Sequence, residues 1–125
     1  PSGGLFSSDL NKQRLNMMVM LAFAALADPT RQRIVELLAE RELSAGAIAA
    51  RFDVSAPAIS QHLKVLREAK LVRVRAEAQR RIYGLDPAGF EAMEDWLDGI
   101  RRFWRGSLDA LERAVKDETQ AEGNL

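Results

Sequence analysis

The sequence predicts a mainly α-helical domain with one small β-hairpin, in which two of the helices form a helix-turn-helix unit. Apolar residues recur every three or four positions over most of the chain, which is the spacing of helices with one buried face. Between residues 72 and 85 the period changes to two, as in strands with one buried face. Two predicted helices, of about 8 and 14 residues, are joined by a tight turn, which indicates a helix-turn-helix.

The length of 125 residues fits one domain. We predict an ordered domain over residues 15–118, with flexible segments at 1–14 and 119–125. The chain has no cysteine and one histidine, which excludes disulfides, thiolate metal sites and sites built from several histidines. A chain without disulfides suits a reducing cytoplasm, so we expect a cytoplasmic protein.

Pro29 marks the boundary between the first two predicted helices. The first runs from Leu15 to Ala27 and ends there because Pro29 disfavours helical geometry at the preceding residue. Asp28 then caps a second helix, which continues to about Glu40 and has Pro29 at its first position.

Two further caps delimit the helix-turn-helix. Ser44 is predicted to cap a short third helix that carries Ile48 and Phe52, and Ser55 is predicted to cap a fourth. The fourth helix turns three apolar residues inward, namely Ile59, Leu63 and Leu66. Its outward arc then holds small and polar residues, namely Ala56, Pro57, Ser60, Gln61 and Lys64.

A two-stranded hairpin follows the fourth helix. Valines alternate with arginines from Val72 to Arg75, residues 77–79 interrupt the pattern, and residues 81–85 alternate again. Arginine lines the outer face of this hairpin. Arg80 and Arg81 are adjacent cations beside the turn with no obvious structural partner, so we assign them to phosphate or minor-groove contacts.

The last predicted helix, from Ala88 to Asp117, is longer than the domain that carries it. It would measure about 45 Å at 1.5 Å per residue, whereas a compact domain of this size is roughly 35 Å across. Its apolar arc of about 160° is wider than one contact needs. A second copy of the chain would cover this surface; the alternative is a bend at Gly99 or Gly106 that folds the helix onto its own core.

Charge is separated along the chain although the net charge is zero. Residues 60–83 carry 7 basic and 2 acidic side chains, and residues 86–125 carry 5 basic and 10 acidic ones. A basic segment beside an acidic one is the pattern of a protein with one surface facing a polyanion.

Three segments together resemble the ArsR/SmtB family of bacterial winged-helix repressors. They are the phrase from Leu26 to Arg31, the run from Ala58 to Ala69, and the hairpin end from Arg81 to Leu85. The resemblance covers about residues 17–115. It implies a winged helix-turn-helix fold and a homodimer, joined by its first and last helices, that binds an inverted repeat in a promoter and represses it.

The resemblance and the residue pattern together give two candidate surfaces. The predicted DNA-binding residues are Ser55, Ala56, Pro57, Ser60, Gln61, His62, Lys64, Arg67, Arg80 and Arg81. The predicted dimer-interface residues are Met17, Met20, Leu21, Trp96, Ile100, Phe103, Trp104, Leu108 and Leu111. For His62 and the methionines, packing inside the protein is the main alternative to a direct functional contact.

The chain departs from the family pattern at three places. Ser44 and Gly46 stand where metal-sensing members have cysteines, and the last helix has no histidine, so we expect no metal cofactor and no metal sensing. Lys70 stands where the family commonly has glycine. If that residue is left-handed, a lysine there costs roughly 1 kcal/mol.

Two other functions remain to be separated from DNA binding. A winged-helix module that binds protein would leave the basic segment without a use, and a heparin column or a mobility-shift test distinguishes the two. An enzyme is disfavoured because the chain has no clustered carboxylates, no glycine-rich phosphate loop and no histidine pair. The sequence gives neither the operator nor an effector.

Overall fold

The computed structural model describes the backbone of residues 2–123 and the side chains of residues 9–123. The chain forms two units, one ending at Met93 and one beginning at Glu94. In chain order the elements are α1 (Ser2–Leu26), α2 (Pro29–Glu40), β1 (Leu43–Ser44), α3 (Ala45–Ala49), α4 (Ala56–Glu68), β2 (Val72–Glu77), β3 (Arg80–Leu85) and α5 (Pro87–Gly123).

The first unit has one hydrophobic core, to which helices α1 to α4 and strands β2 and β3 contribute. Its buried members are Ala22, Ala25, Ile34, Leu38, Ile48, Ile59, Leu63, Leu66, Ala69, Leu71, Val72 and Tyr83. The apolar face predicted for α4 is therefore confirmed, since its three inward residues are at most 1% exposed. This burial fixes which side of α4 faces outward.

The three predicted helix caps are all present. The side-chain oxygens of Asp28, Ser44 and Ser55 each accept a hydrogen bond from the backbone N–H three residues later, at 3.1, 3.1 and 3.2 Å. Each bond satisfies an N–H that the first turn of the helix leaves without a partner. Short polar residues thus fix the starts of α2, α3 and α4.

The cap of α2 gives a pH-dependent prediction. The hydrogen bond from the backbone N–H of Arg31, aided by the charge of Arg31, lowers the pKa of Asp28 below its usual 3.8. The carboxylate therefore stabilises the fold above that pH, and its contribution is lost as the pH falls through the folded pKa. Asp28→Ala should lower the free energy of unfolding by about 1 kcal/mol at pH 7, and by less at pH 3.5. Urea unfolding at both pH values tests this; an equal loss at both would contradict it.

The hairpin is part of a three-stranded antiparallel sheet with the order β1-β3-β2. Strands β2 and β3 pair from Val72↔Leu85 to Glu77↔Arg80, which confirms the predicted hairpin and leaves a two-residue turn. Strand β1 was not predicted. With two residues it is too short to show a period, and Leu43 pairs with Tyr83 only through the folded chain.

Several element boundaries differ from those predicted. Helix α1 begins at Ser2, so the segment 1–14, predicted to be flexible, is helical from Ser2 onward; nothing between residues 9 and 14 breaks a helix that has already formed. Helix α5 likewise continues through most of the predicted tail to Gly123. Residues 1, 124 and 125 lie outside the described part of the chain. Helix α3 ends at Ala49, and Phe52 packs on the core from the turn that follows.

The end of α4 forms a left-handed cap. Lys70 has a φ of 60°, as its position in the sequence suggested. The backbone N–H of Lys70 donates to the carbonyl of Arg67, and that of Leu71 donates to the carbonyl of Leu66, each at 3.0 Å. These two bonds are those of a Schellman motif, which is most often completed by glycine at the left-handed position.

The first turn of α5 packs closely against this cap. The backbone N–H of Gly89 donates to the carbonyl of Lys70 at 2.8 Å, and that of Asp86 donates to the carbonyl of Leu71 at 2.9 Å. A Cβ at Gly89 would lie 2.6 Å from the carbonyl oxygen of Lys70. Only glycine allows this approach.

The second unit consists of the rest of α5. The helix is continuous through Gly99 and Gly106, and a Cβ at either position would meet no atom within 4 Å. Every residue from 100 to 123 is exposed. The helix is therefore not interrupted at either glycine, where the predicted alternative placed a bend. Within residues 2–123 no helix combines the length and the apolarity needed to cross a membrane.

Candidate nucleic-acid interface

Helix α4 presents its predicted outward arc to solvent. The residues of its first turn and of the arc below it are exposed, and they are Ser55, Ala56, Pro57, Ser60, Gln61, Lys64 and Arg67. The buried inward face holds α4 against the core, so these polar side chains occupy a fixed face of a rigid helix. An α-helix placed in this way fits the major groove of B-DNA.

His62 is on α4 but outside this exposed arc. It is half-buried, and its Nδ1 is 3.2 Å from Nη1 of Arg31 on α2. A guanidinium can only donate hydrogen bonds, so Nδ1 of His62 is the acceptor in this contact. His62 therefore connects α4 to α2, and its assignment to DNA contact stays a prediction.

Arg31 joins three helices at this point, a role that its place in the sequence did not indicate. Its Nε donates to the carbonyl of Ala25 near the end of α1 at 2.6 Å, and its backbone N–H is the one that Asp28 caps. The neighbouring Gln32 donates from Nε2 to the carbonyl of Leu26 at 2.6 Å. Both side chains satisfy carbonyls that the end of α1 leaves free. The contact with His62 spans 31 residues, so no local pattern could have revealed it.

The hairpin of β2 and β3 is the wing of this fold, and its arginines are on different faces. Cross-strand pairing puts Arg81 on the same face of the hairpin as Val74 and Tyr83, whereas Arg80 is on the opposite face, across from Glu77. Arg80 and Arg81 are both exposed, but only Arg81 lines the space next to α4. The two residues that were predicted as one unit therefore face different directions.

Arg75 is a wing arginine that forms ion pairs within the protein. It pairs with Glu42 at 3.3 Å and with Glu77 at 3.0 Å, and these carboxylates raise its pKa. Among the described side chains, the remaining ion pair is between Arg101 and Asp98. The remaining cations of the wing and of α4 have no acidic partner within residues 9–123 at ion-pair distance.

A groove of about 650 Å³ separates α4 from the wing. Its lining contains five cations and two carboxylates, with the buried Val72 and Tyr83 at its floor. The cations are Lys64, Arg67, Lys70, Arg73 and Arg81. Lys70 and Arg73 were absent from the predicted site, although their place in the basic segment 60–83 was a signal for them. This groove is suited to a polyanion.

Helices α1 and α5 each expose large apolar side chains. On α1 the predicted interface residues Met17, Met20 and Leu21 are exposed. On α5 the exposed members of the predicted set are Trp96, Ile100, Phe103, Trp104, Leu108 and Leu111. Exposed apolar side chains in such number on a helix mark an interaction site. Among the described residues no three His, Asp or Glu side chains come close enough to share a metal ion.

Comparison with protein families and curated proteins agrees with this fold. A family described as a helix-turn-helix domain matches residues 26–75, which contain α2 to α4 and most of β2. The HTH-type transcriptional regulator Rv2034 of Mycobacterium tuberculosis is 46% identical over 97 residues, covering 78% of this chain and 88% of the relative. The transcriptional repressor SdpR of Bacillus subtilis is 35% identical, covering 60% of this chain and 83% of the relative.

Solved structures are similar over most of the chain. An ArsR-like transcriptional regulator from Rhodococcus sp. RHA1 has a TM-score of 0.72 at 30% identity, covering 78% of this chain and 92% of that one. The homodimeric winged helix-turn-helix DNA-binding domain of Mb0332 from Mycobacterium bovis has a TM-score of 0.58 at 27% identity, covering 78% and 87%. With its helix-turn-helix, its wing and these relatives, the chain belongs to the ArsR/SmtB family of winged-helix transcriptional regulators.

Proposed function

We propose that the protein is a homodimeric repressor that binds an inverted repeat in a promoter through α4 and the wing, without sensing a metal. The observation that carries this is the exposed arc of α4 beside a groove of cations without acidic partners. Cations that a protein leaves unpaired next to an exposed helix are suited to DNA phosphates. The repressor SdpR and the homodimeric domain of Mb0332 support the direction of regulation and the assembly.

Helix α4 reads the DNA sequence in this proposal. Ser60 and Gln61 are exposed early in the helix, where the recognition helix of a helix-turn-helix contacts base edges. A glutamine can pair with adenine through two hydrogen bonds, to N6 and N7. Ser55 caps the helix start, whose free N–H groups also favour a nearby phosphate.

The wing contributes binding affinity that does not depend on the DNA sequence. Arg81 faces the groove beside α4, so it holds the backbone next to the bases that α4 reads. Arg80, on the opposite face of the hairpin, extends the positive surface along the flanking DNA. Contacts to phosphate position the protein and carry no sequence information themselves.

A dimer follows from the need to cover the apolar surfaces of α1 and α5. Two-fold symmetry gives two α4 helices, which matches the symmetry of an inverted repeat. The described residues offer no cluster of three His, Asp or Glu for a metal, and the chain has no cysteine. The proposal therefore includes no metal effector.

Gln61→Ala should weaken binding to the operator and relax its sequence preference. The variant should lose about 1 to 3 kcal/mol of binding free energy for each specific contact. The sequence preference should relax at one base position of each half-site. Fluorescence anisotropy measures this with an operator selected from random DNA and with copies mutated at single positions. Affinity for unrelated DNA should stay unchanged.

Neutralising both wing arginines should act differently. Arg80→Gln with Arg81→Gln should weaken binding to operator and unrelated DNA alike. The slope of log K against log salt should fall by about one for each lost phosphate contact in each subunit. If the wing variant kept full affinity and an unchanged salt slope while Gln61→Ala no longer bound unrelated DNA, the assignment of roles to helix and wing would be wrong. Failure of the wild-type protein to bind any selected DNA would favour a protein-binding module instead.

A further inference from the structure

We propose that Lys70 is a contact to the DNA backbone, and that with Arg67 and Arg73 it forms a phosphate site between α4 and β2. The proposal rests on the proposed function, because the phosphates are those of the DNA that α4 reads. It adds two residues that the sequence pattern did not place in the interface. It also accounts for a lysine in a left-handed conformation that glycine adopts more readily.

The first observation is where these residues lie. Arg67 is in the last turn of α4, Lys70 is in the cap that follows, and Arg73 is at the start of β2. All three are exposed and line the same groove as Ser60 and Lys64, although the strand register puts the side chain of Arg73 on the face of β2 opposite Arg81. The site is therefore continuous with the arc of α4 that reads bases, and a DNA strand leaving that arc would next meet these cations.

The second observation is charge. Arg67, Lys70 and Arg73 form no ion pair with the carboxylates of residues 9–123. Glu68 and Asp86 also line the groove but leave a clear excess of positive charge. Arg75, only two residues beyond Arg73, is held by two glutamates. The protein thus neutralises one arginine of the wing and leaves the groove cations for an external anion.

The third observation is the backbone of Lys70. Its φ of 60° lies in the left-handed region, which side chains with a Cβ adopt at a cost and glycine adopts freely. The Schellman bonds and the bond from Gly89 hold the residue there. Strain of this kind is typical of residues retained for function. A charged side chain kept in this conformation, inside a groove of cations, points to a phosphate.

The decisive variant is Lys70→Gly, because folding and DNA binding should change in opposite directions. Relief of the left-handed backbone should raise the Tm by about 2 to 4 °C. Loss of the charge should raise the Kd for operator DNA by about 5 to 10-fold and reduce the salt slope by about two per dimer. A merely structural lysine would give the rise in Tm with no change in DNA binding.

Three further variants separate the contributions. Lys70→Gln keeps the Cβ and removes the charge, so it should lose the same affinity with an unchanged Tm. Ala78→Gly relaxes the other left-handed residue, at a φ of 55°, and should raise the Tm without changing the salt slope. Lys116→Gln removes an exposed lysine of α5 outside the groove and should leave the Kd within about twofold.

Wild-type affinity and slope in both Lys70 variants would overturn the phosphate site while leaving the proposed function intact. An equal loss in Lys116→Gln would also overturn it, since net charge rather than position would then explain the effect. If the wild-type protein binds no selected DNA, the proposed function fails and the phosphate site fails with it.

Discussion

Replacing Trp104 by Glu should convert the dimer into monomers. Trp104 is 58% exposed in the single chain, and the adjacent Phe103 is 71% exposed, so both are available to a second copy. Aromatic side chains bury large areas and dominate interface energies. A symmetric interface contains the substitution twice, so the loss should be about 4 kcal/mol or more, which is roughly a thousandfold in Kd. Sedimentation velocity at micromolar concentration measures the change.

The matched control for this variant lies two residues away on the same helix. Arg102→Glu places a carboxylate on the charged arc of α5, well away from Trp104 around the helix, and should remain dimeric. The Trp104→Glu monomer should also bind operator DNA weakly, because one α4 then reads only one half-site. A wild-type protein that sediments as a monomer at this concentration would refute the dimer.

The local features of this fold were predictable because short-range chemistry determines them. Asp28, Ser44 and Ser55 bond to N–H groups three residues away, so a cap is visible in the sequence itself. The left-handed residue after α4 could be inferred in the same way, since a Schellman motif involves only neighbouring positions. The hairpin was visible from its alternation between Val72 and Leu85.

The features that were missed depend on contacts between distant parts of the chain. Arg31 contacts His62 across 31 residues, and no local pattern in the sequence indicates this contact. Arg80 and Arg81 look alike in the sequence, yet the register of the hairpin puts them on opposite faces. The residues of the extra helical turns of α1 and α5 show no periodicity that distinguishes them from a flexible polar segment. Both helices were therefore predicted too short.

Gly89→Ala should lower the free energy of unfolding more than alanine at any of the other glycines whose surroundings the structure describes. The new Cβ would lie 2.6 Å from the carbonyl oxygen of Lys70 and 2.8 Å from that of Ala69. These are backbone atoms of the cap that ends α4, so they cannot turn aside as a flexible side chain would. Separating the two segments would also weaken the 2.8 Å bond from Gly89 N–H to the Lys70 carbonyl. Overpacking and the weakened bond together should cost about 3 kcal/mol.

Urea unfolding compares this variant with Gly46→Ala, which adds the same methyl group in α3 where no atom lies within 4 Å. Gly46→Ala should be neutral or stabilise the helix by up to about 1 kcal/mol. The two variants should therefore differ by about 3 to 4 kcal/mol with similar m values. Because the cap that Gly89 contacts also carries Lys70, Gly89→Ala should weaken operator binding even at temperatures where the protein stays folded. Equal stability of the two alanine variants would mean that the cap and the first turn of α5 separate without cost, and the close contact would not help to fix the end of α4.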